Sequence, residues 1–322
     1  MKHLNCKNCG APMLLDASGM TAVCHYCGTK YVLNHEDTDY FRGFYRRMTE
    51  FLSGGADEQA RRLKADALWQ DADEQAFDCT DGSRIEIKYM YSYTLPGVEV
   101  YVARRNIIFH FLTDGAAGSE RFRRAVSLLD YPSADTRSLQ SFFPTISGGF
   151  ELCDGTCVLV VSKDMDEYPL CLFGNLPGRH VAWIISRMEN LCCVLEYNAL
   201  VHPAINVNSL YINPYTHQAS LYGGWWEADR RNTATRGGVL KTEQNLTALR
   251  DTAANLLGYA KAGEVRVTDD VPKALADFIN SKPRGNAYDD FAYWDEMLIK
   301  AYGERKFISM NADDEQIYGN AR

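Results

Sequence analysis

The chain has 322 residues, 46% hydrophobic and 12% aromatic. That excludes a disordered or low-complexity protein and leaves room for about two domains with proper cores. Its 34 basic and 42 acidic residues give a formal net charge of −8, which argues against a general nucleic-acid or anionic-membrane binder. No apolar run approaches the ~18–20 residues that span a bilayer. The opening Met1-Lys2-His3-Leu4-Asn5-Cys6 lacks the apolar stretch of a secretory signal, so a cytoplasmic protein is expected.

Four of the ten cysteines open the chain, as Cys6-x2-Cys9 and Cys24-x2-Cys27 with a 14-residue spacer. Each pair is followed by a glycine (Gly10, Gly28), which lets the backbone turn sharply around a thiolate. Four thiolates at tetrahedral positions make a closed structural zinc site. A segment as short as residues 1–34 buries too little to fold alone, so one structural Zn²⁺ is expected to supply its folding energy. His3 and His25 are spare ligands. The quartet resembles a zinc ribbon. Lys2, Lys7 and Lys30 against Asp16 make this module formally +2, and four thiolates on one Zn²⁺ bring it near zero. Protein contact or a structural cap therefore suits it better than phosphate binding.

Residues 36–70 read as two short helices broken at Ser53-Gly54-Gly55. Tyr40, Phe41, Phe44, Tyr45, Met48, Phe51 and Leu52 recur at helical spacing, either as a connector packed on the next domain or as a docking helix. From about residue 73 the pattern becomes strand-like: Arg84 to Tyr91, a turn at Pro96-Gly97, then Val98 to Ala103 and Asn106 to Leu112. Gly118 to Asp130 reads as a helix, with Phe122 and Val126 inward and Arg121, Arg123 and Arg124 outward. Two further strands flank an expected two-residue turn at Asp154-Gly155, which puts Cys153 and Cys157 across a hairpin. These two, with Cys79, Cys171, Cys192 and Cys193, read as small buried hydrophobes.

The second half is mainly helical. Val181, Ile184, Ile185, Met188, Leu191 and Leu195 give a long buried helix over 180–200. A loop follows from Val201 to Ile212, then a turn at Asn213-Pro214 and a short strand, Ala219 to Tyr222, that ends at Gly223-Gly224. Glu243 to Ala260 is another helix, and residues 271–302 hold at least two more.

A β-rich region with one helix, then a hinge, a long helix, a histidine loop and two short strands resembles the protein kinases. His202-Pro203-Ala204-Ile205-Asn206-Val207-Asn208-Ser209 resembles the kinase catalytic loop, His-Arg-Asp-x4-Asn. Leu221-Tyr222-Gly223-Gly224 resembles the strand that enters Asp-Phe-Gly, and Asn245 to Gly258 looks like the central helix of the large lobe. The resemblance spans roughly 73–300. It implies an α+β fold class: a small N-terminal zinc ribbon plus a bilobal kinase-like domain with a β-rich small lobe and a helical large lobe. The implied domains are 1–35 (zinc ribbon), 36–72 (helical linker), 73–175 (small lobe) and 176–322 (large lobe), with a hinge at 163–176.

Several positions depart from the pattern. Ala204 stands where the proton-accepting carboxylate belongs, Ser209 where an amide holds Mg²⁺, and Tyr222 where a carboxylate binds the metal. No Gly-x-Gly-x-x-Gly occurs between residues 73 and 112, and no Lys lies between Tyr89 and Ser162. His110 or Arg105, with Lys88 a distant third, are the nearest candidates for the phosphate-pairing Lys, and Ala125 for its Glu partner. Trp225-Trp226 puts two large rings just after Gly224, either as filling for the cleft or as a partner anchor. With no catalytic and no cofactor-binding residues expected in the cleft, the reading is a pseudokinase scaffold. An unknown protein partner is expected; nucleic acid, a membrane and ATP are not. Two other functions stay open. One is an atypical nucleotide-binding phosphotransferase with a rearranged cleft and Asp164, Asp166, Glu227 or Asp229 as metal carboxylates. The other is a zinc-ribbon nucleic-acid adaptor that uses Arg46-Arg47, Arg61-Arg62 and the Arg121 to Arg124 face.

Overall fold

The structure is a computed structural model that describes residues 14–15, 21–23, 30–32, 56–113, 115–131, 138–235, 238–303, 308–310 and 312–319. Strands β1 (Leu14–Leu15), β2 (Thr21–Val23) and β3 (Lys30–Val32) pair antiparallel in that order. Cys6, Cys9, Cys24 and Cys27 lie outside the described residues, as do His3, His25, Arg46, Arg47, the aromatic stripe from Tyr40 to Leu52 and the Ser53-Gly54-Gly55 break.

Helix α1 (Ala56–Gln70) leads into the hairpin of β4 (Asp73–Asp78) and β5 (Arg84–Tyr89). Alternation in β5 decides its faces. Ile85, Ile87 and Tyr89 pack with Phe77 onto Tyr101, Ile108 and Val158, while Arg84, Glu86 and Lys88 face solvent. Next comes an antiparallel five-stranded sheet in the order β6 (Tyr91–Leu95), β7 (Val98–Val102), β8 (Asn106–Phe111), β10 (Cys157–Ser162), β9 (Thr145–Glu151). The β4–β5 hairpin covers its outer face, so β8 is buried on both sides.

Helix α2 (Gly115–Ser127) lies between β8 and β9 in sequence and packs on the inner face through Phe122 and Ala125. It starts three residues before the expected Gly118, because Gly115 nests against the turn at Thr156-Cys157, where a Cβ would lie 2.8 Å from the Cys157 nitrogen. The β9–β10 loop is also longer than the expected two-residue turn. Leu152 accepts from the Gly155 N–H and donates its own to Thr156, with Gly155 at φ +83°.

The helical region begins with α3 (Gly178–Tyr197), whose Ile184, Ile185, Met188, Leu191 and Leu195 are all buried. Around it stand β11 (Tyr168–Pro169), β12 (Leu200–Val201), β13 (Leu210–Asn213) and β14 (Gln218–Leu221), with β11, β13 and β14 forming one small sheet. β15 (Asp229–Arg230) pairs with β12, and β16 (Ala234–Thr235) with β17 (Gly238–Val239). Helices α4 (Glu243–Leu256), α5 (Lys273–Asn280), α6 (Ala287–Tyr302) and α7 (Asp314–Tyr318) complete the described residues. Arg250 of α4 grips Asp290 of α6 with two hydrogen bonds of 2.7 and 2.8 Å, both side chains buried. Removing either partner of such a pair costs about 3–5 kcal/mol. Among the described residues no helix is long and apolar enough to cross a membrane.

Candidate functional site

The loop after β12 is built around His202. The Asn245 side chain on α4 accepts the His202 backbone N–H at 2.7 Å and donates to the Leu200 carbonyl at 3.1 Å, which fixes where the strand ends. His202 Nε2 then donates to the Gly223 carbonyl at 3.0 Å, and so ties this loop to the one after β14. Complete burial lowers its pKa from 6.5 to about 4, against the opposing pull of its backbone hydrogen bonds. A neutral imidazole with its proton on Nε2 is a tether, not an acid or base.

Ala204 and Ser209 sit on that loop. Gly224 adopts φ +78° directly against Ala204, where a Cβ would lie 2.7 Å from the Ala204 Cβ and 2.9 Å from His202 Cε1. Ser209 Oγ donates to the Asn206 carbonyl at 3.0 Å and accepts the Asn206 N–H at 2.9 Å, so its polar capacity is used inside the loop. The Ser209 carbonyl accepts the N–H groups of Tyr222 and Gly223.

Tyr222 crosses the cleft. Its hydroxyl donates to Glu167 Oε2 at 2.8 Å, beside a 2.7 Å bond from Ser220 Oγ to Glu167 Oε1 and a 2.8 Å bond from the Asp164 N–H. Burial pushes the Glu167 carboxyl above its usual range, while these donors and Lys163 pull it back down. Burial and the facing Glu167 push the Tyr222 phenol well up, so it stays protonated. Lys163 lies buried behind the carboxylate, with Nζ donating to the Arg104 and Asp164 carbonyls at 2.9 and 3.0 Å. Burial lowers it to about 8. The Tyr222 ring packs on Tyr211 with centroids 5.5 Å apart, and the Tyr93 hydroxyl of β6 donates to the Asn208 carbonyl at 2.7 Å. The edge strand of the sheet is thereby joined to the His202 loop.

Beneath the sheet, the face of β8 that meets α2 holds aromatic rings. Phe109 of β8 faces Phe122 of α2 at 5.4 Å, and Trp226 packs on Phe109, Phe111 and Phe122 at 5.8, 5.6 and 6.4 Å. Trp225 is fully buried, edge-on to His202 at 4.9 Å, with its Nε1 donating to the Leu221 carbonyl at 2.9 Å. Both tryptophans therefore fill the interior, Trp226 less completely.

The residues suggested as stand-ins for the Lys–Glu pair do not come together. His110 points to the outer face, against Phe77 at 5.1 Å and Thr156 Oγ1 at 2.9 Å, because the alternation of β8 sends Phe109 and Phe111 inward. Arg105 is exposed in a turn, Lys88 pairs with Glu74 at 2.8 Å, and Ala125 is buried without a polar group. The β6–β7 turn is only Pro96-Gly97, with Leu95 opposite Val98.

The four acidic candidates do not converge. Asp166 pairs with Arg61 at 2.7 Å, Asp229 with Arg124, and Asp164 accepts the Asp166 N–H, while Glu227 is exposed. Among the described residues no three His, Cys, Asp or Glu side chains gather to hold a metal ion. Cys153 is exposed, unlike the buried thiol expected there. Sequence reading passed over Glu167, Lys163 and Phe109, while the inward face it gave Phe122 is the one observed. Only the charged pair right after an apolar strand could have drawn attention to the first two.

No protein-family model matches the chain, and no curated protein sequence does. Among solved structures it is similar to the ROP18 kinase domain in complex with AMP-PNP and sucrose, at 12% identity over 86% of this chain and 94% of that one, with a TM-score of 0.48. It is also similar to a Toxoplasma gondii rhoptry antigen kinase domain, at 9% identity, 70% and 86% coverage and a TM-score of 0.46. A double mutant of the Mycobacterium tuberculosis PknI kinase domain matches at 12% identity, 66% and 95% coverage and a TM-score of 0.44. The chain's own element order has a five-stranded antiparallel sheet with one helix, then a helical region carrying the His202 loop and the Gly224 turn. By that order it has a protein kinase-like α+β fold.

Proposed function

We propose that the chain is a catalytically inactive kinase-like protein, a pseudokinase, that works as a scaffold with an amino-terminal zinc-binding module. The observation that carries this reading is Tyr222, whose buried hydroxyl is committed to Glu167 while its ring packs on Tyr211. Phosphoryl transfer depends on positioning and on neutralising phosphate charge with metal carboxylates, a Lys and loop N–H donors. By the resemblance those places fall to Tyr222, Ala204 and Ser209, with His110, Arg105 or Lys88 for the Lys and Ala125 for its Glu partner, and the β6–β7 connection is a two-residue turn. A protonated phenol is a poor ligand for Mg²⁺, which prefers carboxylate oxygens.

Cys6, Cys9, Cys24 and Cys27 are the donor set for one structural Zn²⁺. Four thiols suit zinc, and the β2–β3 pairing, with Val23 opposite Lys30, frames the connection that contains Cys24-x2-Cys27. The metal would supply folding energy to the module, which offers a protein partner a contact surface apart from the cleft.

Thermal unfolding of the full chain with ATP and Mg²⁺ tests the reading. A nucleotide bound at a hundredfold excess over Kd adds about 2.7 kcal/mol, a readily measured shift. The expected result is no shift, no Mg²⁺-dependent hydrolysis and no autophosphorylation. Transfer of labelled phosphate to any substrate overturns the proposal.

A further inference from the structure

Both oxygens of Asp314, on α7 near the end of the described chain, are taken by donors from distant elements. Trp69 Nε1, at the end of α1, donates to Oδ2 at 2.7 Å, and the Tyr168 hydroxyl of β11 donates to Oδ1 at 2.5 Å. Asp314 is only 8% exposed, so these bonds form in a low-dielectric setting where each is stronger than at a surface. Tyr318, one turn along α7, packs edge-on to Trp69 at 6.0 Å and tilted on Tyr168 at 5.7 Å. An Asp313–Gln316 capping box fixes the start of α7 and so the direction of Asp314.

Helix α1 is held at two more places. Arg61 grips Asp166 with both guanidinium nitrogens, at 2.7 and 3.3 Å, and stacks over the Tyr215 ring at 4.3 Å. Asp66 pairs with Arg104 in the turn between β7 and β8 at 2.5 Å. The Tyr215 hydroxyl donates to the Ala312 carbonyl just before α7. One helix thus touches the sheet at Arg104, the connection between sheet and helical region at Asp166, and α7 at Asp314.

We propose that α1 and α7 form a strap across residues 163–169, and that Asp314 is the positioning residue that seats it. Seated, the strap holds the sheet and the helical region at one angle. Released at Asp314, it frees α1 and the connection together, while the core around α3 is untouched. A pull on the segment that precedes α1 then reaches the cleft through Arg61 and Trp69. This device does not depend on whether the cleft is catalytically silent.

Hydrogen exchange on the full chain tests it, comparing the wild type with Asp314→Asn and Trp69→Phe. Asn turns one acceptor into a donor that faces a donor. Phe keeps an aromatic ring at 69 but removes the indole N–H together with part of the ring system, so it breaks the same contact by a different route if the Asn variant folds poorly. Loss of one charge-assisted bond predicts about tenfold faster exchange in peptides covering 56–70 and 163–170. Peptides from 184–195 should exchange as in the wild type. Unchanged exchange in the strap, or an equal rise in 184–195, overturns the proposal.

Discussion

The Tyr222 hydroxyl lies 2.8 Å from Glu167 Oε2, so one residue after β14 is bonded to one in the connection that follows β10. This bond ties the segment after β14 to the connection after β10 and helps satisfy a buried carboxylate that also takes the Ser220 hydroxyl and the Asp164 N–H and faces Lys163.

Tyr222→Phe is expected to destabilise the chain by about 1–3 kcal/mol, because Glu167 loses a donor without gaining water. Tyr222→Asp should be worse, since it sets a second carboxylate against Glu167. Urea unfolding of both variants measures this. A Phe variant as stable as the wild type removes the Tyr222–Glu167 bond from consideration.

Gly224→Ala should cost about 1–3 kcal/mol, for two separable reasons. The residue sits at φ +78°, and its new Cβ meets that of Ala204 at 2.7 Å. Adding Ala204→Gly relieves the contact with Ala204 and leaves the strained φ and the 2.9 Å approach to His202 Cε1. Thermal unfolding of the single and double variants should therefore show partial recovery, and a neutral Gly224→Ala contradicts the packing described.

His202 makes stability fall with acid. Its pKa is about 4 in the folded chain against an ordinary 6.5. Between those values the unfolded chain binds a proton that the folded chain does not, so stability present above pH 6.5 is lost as pH drops towards 4, by up to about 3 kcal/mol. His217, lowered to about 3 chiefly by burial, acts in the same direction. His202→Gln keeps an N–H donor for the Gly223 carbonyl and does not titrate. Its stability should vary less between pH 6.5 and 4, leaving the His217 share, and a slope identical to wild type disproves the assignment.

Elemental analysis of the purified full chain should find about one zinc per chain, held by four thiolates. Cys6→Ser or Cys24→Ser should release it while the thermal transition of residues 73–319 survives. Metal-free native protein, or zinc retained by both variants, contradicts the site.

Some of this was legible in residues alone. The apolar runs of β7, β8, β10 and α3, and the His202 loop between β12 and β13, announce themselves by pattern. The inward face of β8 did not, and the physical reason is specific. Asn106 to Phe111 is apolar on both sides because the β4–β5 hairpin buries the outer one, so alternation gave no parity and did not show which of its side chains face α2. Glu167 and Asp314 were illegible for another reason. Each looks like an ordinary surface carboxylate until partners 53 to 245 positions away are brought beside it.

The Phe109–Phe122–Trp226 cluster also bears on which charged groups this interior could hold. The rings come from a strand, a helix and the segment after Gly224, and they fill one another's space. A Lys placed at 109 would meet Phe122 and Trp226 in place of a carboxylate, and burial would strip it of charge. A Glu at 122 alone would meet the mirror problem. Each single charged replacement is therefore uphill, and only a paired Lys and Glu, with Trp226 reduced as well, avoids a stranded charge. Mutual dependence among three side chains thus makes this part of the interior resistant to any lone charge, because each ring is packed by the other two.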